Sequence, residues 1–131
     1  MGFWHGGRVS AYRKPAGINY PQAYAESSDM QAASGEKKKA MYLFNCAQRA
    51  HGNWLENQPS FSIALLIAGL RFPVAASVMG VGWLVSRVVY AIGYTQADKD
   101  KGQGRLYGST FWLFQLGLFG MVGYMGAKLI Q

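Results

Sequence analysis

A chain of 131 residues, 50% of them hydrophobic, with seventeen glycines and a net charge of +7, holds one domain at most. Its mean hydropathy near zero would suit a soluble protein, yet the apolar residues gather into three long runs, the segregation of a membrane bundle. The positive charge accompanies no groove-reading or base-stacking motif, so no nucleic-acid partner is expected, and the single cysteine, Cys46, excludes an intrachain disulfide.

The opening residues, MGFWHGGRVSAY, carry no signal-peptide pattern and are too short and too glycine-interrupted to cross a bilayer. They fit either a protein of three spans with its ends on opposite sides, or a helix whose first part precedes Met1. The stretch RKPAGINYPQAYAESSDMQAASGEKKKA reads as a cytosolic loop with turns at Pro15-Ala16-Gly17 and Tyr20-Pro21. Ser34, Gly35 and Glu36 are placed to cap a helix running from about Lys37 to about Gly69, roughly 45–50 Å long, with Pro59 as a kink point. Arg71-Phe72-Pro73 predicts a tight turn on the far side, Pro73 opening an antiparallel helix that ends at Gly93-Tyr94. The charged loop ADKDKGQG follows, and Leu106-Tyr107 is expected to open the last helix. The spans are set at approximately 40–70, 72–95 and 107–130, each meeting the need for about 20 residues. From Ser109 to Ala127 only Gln115 is clearly polar. Ala76 and Gly80, and the series Gly117, Gly120, Gly123 and Gly126, offer small-residue surfaces for helix packing.

Nine basic residues flank one side of these spans: Arg8, Arg13, Lys14, Lys37, Lys38, Lys39, Lys99, Lys101 and Arg105. Only Arg71 and Lys128 flank the other. The positive-inside rule therefore puts both basic segments in the cytosol and the C-terminus across the membrane, with Arg49 and Arg87 inside the spans.

Just before the apolar IALLIAGL, the first run carries Asn45, Gln48, Arg49, His51, Asn53, Glu56 and Asn57. An ionisable group in hydrocarbon costs at least about 2.5–3.5 kcal/mol, so such residues mark a binding site or a buried pair. Arg49, Asn53 and Glu56 follow one helical face, with His51 and Asn57 to the side, and Arg87, Tyr90 and Tyr94 follow one face of the next helix. The two faces can confront each other at the cytosolic level. One reading is an Arg–Glu and Arg–Tyr network that only joins helices. The other is a site for a zwitterionic thiol peptide such as glutathione. Arg49 would fork onto a carboxylate, Glu56 would take the ammonium, and Asn53, Tyr90 and Tyr94 would supply neutral hydrogen bonds, with basic side chains stabilising a thiolate. No metal is expected, since His5 and His51 lack a ligand set, and no Ser-His-Asp arrangement has local support.

The blocks FNCAQRAHGNWLENQPSF and RVVYAIGY, in that order and spacing, resemble the microsomal glutathione transferases of the MAPEG superfamily, most closely the microsomal glutathione S-transferase 3 branch in a fungal form. The resemblance spans roughly residues 8–130. It implies an all-α integral membrane protein, an antiparallel bundle of the MAPEG four-helix type with a truncated first helix, assembled as a homotrimer. Residues 1–39 are then a remnant of that first helix plus a cytosolic loop, within a single domain covering 1–131. The implied activity is that of a glutathione transferase and glutathione-dependent peroxidase, leukotriene C4 synthase-like in one form. It would attack lipophilic electrophiles or lipid hydroperoxides from the endoplasmic-reticulum or outer mitochondrial membrane, with the site towards the cytosol. Glutathione, membrane lipids and a lipophilic substrate are the implied partners, the last expected near Trp83, Tyr90 and Trp112. The alternative within the same superfamily is a non-catalytic lipid-binding scaffold.

By that resemblance Arg49, His51, Asn53, Glu56, Arg87, Tyr90, Tyr94 and Arg13 are glutathione-binding, and Lys101, Arg105 and Lys14 are the candidates for activating the thiol. Arg13 and Lys14 stand where relatives carry a basic pair given to a neighbour's site. His51 replaces a glutamine, and Asn57 a tyrosine, of the leukotriene-synthase branch. Lys101 stands where that branch has an arginine, a point charge in place of a planar fork.

Overall fold

A computed structural model describes residues 1–130 of the chain. Five α-helices follow one another: α1 (Gly2–Ala16), α2 (Ser27–Ala32), α3 (Gly35–Arg71), α4 (Pro73–Tyr94) and α5 (Phe111–Ile130), with a 3₁₀ segment, Asp100–Gly108, between the last two. At about 1.5 Å per residue α3 is about 55 Å long. It passes through Pro59 without a break and ends where Pro73, which has no N–H to leave unpaired, starts the return helix.

The stub read as non-spanning is a helix, and it continues through the residues read as the start of a loop. Its buried side chains, His5, Val9, Arg13 and Ala16, recur at helical spacing and lie antiparallel against α3. Pro15 is tolerated because only the last turn remains, and Gly17, at φ 64°, closes the end by donating its N–H to the carbonyls of Arg13 and Lys14. The loop beyond is tied down. Asn45 of α3 both donates to and accepts from the backbone of Ala25 at 2.8 Å, and Gln48 donates to the carbonyl of Ala23. These two polar side chains of the first run are accordingly structural.

The core falls into two separate clusters. Val9, Ala16, Ile18, Met41, Phe44 and Ala47 form the first, around α1 and the loop. Phe61, Ala64, Ala68, Ala76, Trp83, Phe111 and Leu118 form the second, where α3, α4 and α5 meet. Ala76 and Gly80 are buried there as their spacing predicts, Gly80 leaving room for Leu65. Trp83 stacks on Phe61 at 3.8 Å and is 1% exposed, so it is a core residue rather than the wall of a lipid pocket. Trp112 is largely exposed. Gln115, the lone polar residue of the last run, accepts from the Trp83 indole at 3.0 Å and donates to Ser60 at 3.1 Å, one side chain pinning three helices.

α5 begins at Phe111, four residues later than Tyr107, because the chain before it lies flat on α4. A Cβ at Gly104 would meet the carbonyl of Gly93, and one at Gly108 would meet the backbone of Ser86 and Tyr90, so only glycine allows the 3₁₀ segment this close. A Cβ added at Gly120, Gly123 or Gly126 would meet no neighbour within 4 Å among the described residues. By length and composition α4 and α5 can each cross a membrane. α3 is long enough, but its polar stripe keeps it from being apolar throughout.

Candidate functional site

α3 presents Arg49, Asn53 and Glu56 on one face, as their spacing requires. Arg49 Nη1 lies 3.0 Å from Glu56 Oε1, and Asn53 Nδ2 donates to Glu56 Oε2 at 3.4 Å. Asn53 also turns its carbonyl to α4, where Oδ1 accepts from Arg87 Nη1 at 2.8 Å. Four side chains on two helices are thus joined in one line, from an ion pair whose members are each 53% exposed to a guanidinium that is 0% exposed.

Arg87 is surrounded by rings, its Cζ 4.4 Å from the centroid of Phe111, 4.8 Å from Tyr90 and 5.6 Å from Trp83. Three cation–π contacts, each worth about 0.5–2 kcal/mol, offset part of the cost of burying the charge. Its Nε and Nη2 have no hydrogen-bond partner among the described residues. Asn57 donates to the carbonyl of Asn53 at 2.8 Å, a contact internal to the helix.

Tyr90 and Tyr94 meet edge to face at 5.6 Å, one turn apart on α4. Tyr94 packs against the 3₁₀ segment through Arg105, while Asn53 and Arg87 join α3 to α4 one to two turns away. Arg105 stands over the Tyr94 ring at 5.4 Å, and its Nη1 donates to the carbonyls of Lys101 and Gly102 at 2.8 and 3.0 Å. It therefore spends hydrogen bonds on its own turn. Lys101 is exposed at the crest of that turn.

Three other candidates are not part of this grouping. Arg13 is buried, donating to the carbonyls of Ile18 and Gln22 at 3.2 and 2.7 Å, with Tyr20 and Phe44 on its flanks at 4.2 and 4.6 Å. Its charge organises the first loop. Lys14, one residue on, is exposed. His51 lies two residues past Arg49 and so projects from the other side of α3, where it stacks on His5 at 5.6 Å beside Trp54.

Sequence reasoning overlooked Tyr42 and Arg8. Tyr42 bonds the turn at Lys101, and its only signal was its place seven residues before Arg49 on the same stripe. Arg8 donates to Thr95 Oγ1 at 2.6 Å and to the carbonyl of Ala91 at 3.2 Å, tying α1 to the end of α4.

A family model described as the MAPEG family matches residues 1–124. The chain belongs to the MAPEG family. No solved structure matches it. MAPEG proteins are membrane proteins that include glutathione-dependent enzymes as well as non-catalytic members.

The residues present fit glutathione as a MAPEG ligand. A half-exposed guanidinium and carboxylate 3.0 Å apart offer one partner for a carboxylate and one for an ammonium, and buried N–H groups of Arg87 remain unpaired close by. The outer members of the cluster, Arg49 and Glu56, are half-exposed. An apolar groove of about 370 Å³, lined among others by Leu65, Ala76, Gly80 and Leu84, lies towards the opposite end of α3 and α4. Among the described residues no three His, Cys, Asp or Glu side chains gather where they could hold a metal ion.

Proposed function

We propose that this MAPEG protein is a membrane glutathione transferase with glutathione peroxidase activity, of the microsomal glutathione S-transferase 3 kind. The observation that carries the reading is the line Arg49–Glu56–Asn53–Arg87, which leads from solvent-exposed charges of opposite sign to a fully buried guanidinium. A half-exposed ion pair contributes at most about 1 kcal/mol as helix glue. On the rim of α3 and α4 the same pair presents both charges to a zwitterionic ligand that inserts between them.

In this reading Arg49 holds a glutathione carboxylate, Glu56 takes the ammonium, and Tyr90 and Tyr94 hydrogen-bond the peptide. Arg87 acts from behind, fixing Asn53 and through it Glu56. The thiol releases its proton to solvent, and the Lys101 ammonium stabilises the thiolate, with Arg105 shaping the turn beneath it. The thiolate then attacks the electrophilic carbon of a lipophilic substrate, whose leaving group departs with the bonding pair. With a lipid hydroperoxide it attacks the outer oxygen instead, breaking the O–O bond to give the sulfenic acid and an alkoxide that takes a proton from solvent; a second glutathione thiol then condenses with the sulfenic acid to the disulfide and water.

The half-exposure of Arg49 and Glu56 supports a homotrimer in which glutathione lies between subunits. Arg13 is committed to its own loop, so Lys14 is the better donor to a neighbour's site. His51 would act there only through the α1 face. The charge distribution supports an active site on the cytosolic side of the endoplasmic-reticulum or outer mitochondrial membrane.

The test is the near-ultraviolet absorbance of glutathione thiolate on the detergent-purified protein. Wild type is expected to form thiolate, and Arg49→Ala and Glu56→Ala are each expected to lose at least about tenfold in glutathione affinity, the scale of a charge-assisted hydrogen bond. No thiolate and no glutathione binding in wild type would instead mark a lipid-binding scaffold.

A further inference from the structure

Lys101 has φ 52° and ψ 24°, and Gly102 follows at φ 62° and ψ 27°. Lys101 is the one non-glycine residue at positive φ among those described. Side chains rarely adopt this left-handed region, and a residue held there persists only where its surroundings over-determine it. Two restraints do so. One is local, the Arg105 guanidinium on the carbonyls of Lys101 and Gly102.

The second comes from sixty residues away. The Tyr42 hydroxyl on α3 accepts the Gly102 N–H at 2.7 Å and donates to the carbonyl of Lys99 at 3.1 Å. A single hydroxyl thus closes the turn from both ends, using its donor and an acceptor at once. Tyr42, Arg49 and Glu56 lie at i, i+7 and i+14, so the anchor stands on the same stripe of α3 as the ion pair. On the other flank Gly102 is pressed so close to the Tyr94 ring that a Cβ there would overlap it. The turn is clamped between α3 and α4, and its register sets where the Lys101 ammonium stands.

We infer that Tyr42 is a positioning residue for thiol activation: its hydroxyl holds the Lys99–Gly102 turn in the strained form that sets the direction in which Lys101 leaves the backbone. The inference rests on the proposed role of Lys101. Without the hydroxyl, Gly102 N–H and the Lys99 carbonyl lose their partner, and Lys101 is free to relax to negative φ, which redirects its side chain. An ammonium stabilises a thiolate less as the separation and the local dielectric rise, so the thiol loses acidity while the carboxylate and ammonium contacts made by Arg49 and Glu56 stay in place.

The experiment titrates thiolate absorbance against pH at saturating glutathione, with affinity measured separately by equilibrium dialysis, on wild type, Tyr42→Phe, Lys101→Met and the double variant. Tyr42→Phe is expected to hold roughly three- to tenfold less thiolate near neutral pH, the effect of losing one or two hydrogen bonds, with affinity changed less than about twofold. In the Lys101→Met background Tyr42→Phe is expected to do nothing further, because the two act as one unit. A merely structural role would lower both affinity and thiolate in either background. Wild-type thiolate in Tyr42→Phe, or additive losses in the double variant, overturns the inference while leaving the enzyme reading intact. Absence of thiolate in wild type overturns both. Gly102→Ala strains the same turn from the Tyr94 side and covers the case of a poorly folded Tyr42→Phe: the same epistasis with Lys101→Met is expected, and an unchanged titration counts against the inference.

Discussion

Arg87 shows how a charge is kept where solvent does not reach. Its one hydrogen bond goes to a neutral amide, and its remaining stabilisation comes from the faces of Phe111, Tyr90 and Trp83. Removing the side chain leaves a void under three rings and strands Asn53. Arg87→Ala is therefore expected to cost roughly 2–4 kcal/mol, read as a fall in the midpoint of thermal unfolding in detergent. Arg87→Met fills the same space without the desolvated charge and is expected to recover at least half of that stability while still losing glutathione affinity, since Asn53 and Glu56 are no longer held. If the methionine variant binds glutathione as wild type does, Arg87 is only a packing residue.

Among the elements, α3 and α4 were legible because caps, apolar runs and the Arg71-Phe72-Pro73 turn all agreed. The confrontation of Asn53 with Arg87 follows from helical spacing plus that turn. α1 was not legible as a helix to Ala16, since its glycines and Pro15 argue against one. Packing of His5, Val9, Arg13 and Ala16 on α3 overrides that local preference. The start of α5 was misjudged because nothing in LYGST signals that Gly104 and Gly108 seat the preceding chain against the α4 backbone. Roles within the site were harder still. A charge on a helix face can be read from periodicity, whereas the commitment of Arg13 to two loop carbonyls depends on how the loop returns. Gln115 gives an element-level test. Gln115→Leu keeps the volume but leaves the Trp83 indole N–H without its acceptor in a dry core, and it is expected to cost about 1–3 kcal/mol in thermal stability with glutathione affinity preserved. An equal loss of binding would mean that the α3–α5 link, and not α3–α4 alone, shapes the site.

Across the whole molecule, apolar side chains cover surfaces that water would not tolerate: Val74, Val78, Val81, Val85 and Ile92 along α4, and Leu113, Leu116 and Leu129 along α5, are all exposed. Patches of this extent need lipid or another subunit. By the positive-inside rule the basic residues are expected to face the cytosol, and the lone buried cysteine makes the orientation measurable. With Cys46 shielded, Gln103→Cys on the 3₁₀ segment is expected to react with an impermeant maleimide in sealed microsomes, and Ala127→Cys near the end of α5 only after the membrane is opened. The reverse pattern would put the Arg49–Glu56 cluster on the luminal side, away from cytosolic glutathione, and would count against the proposed enzyme. The same half-exposed pair bears on assembly. A zwitterion held only by a half-exposed pair would stay largely hydrated, and a neighbouring subunit that covers the flank strengthens each charge–charge contact by excluding water. Crosslinking in mild detergent is accordingly expected to give trimers, with glutathione protecting them against heat by an amount that rises with the logarithm of its concentration above Kd. Monomers that bind glutathione as tightly as the crosslinked species would show that one chain completes the site by itself.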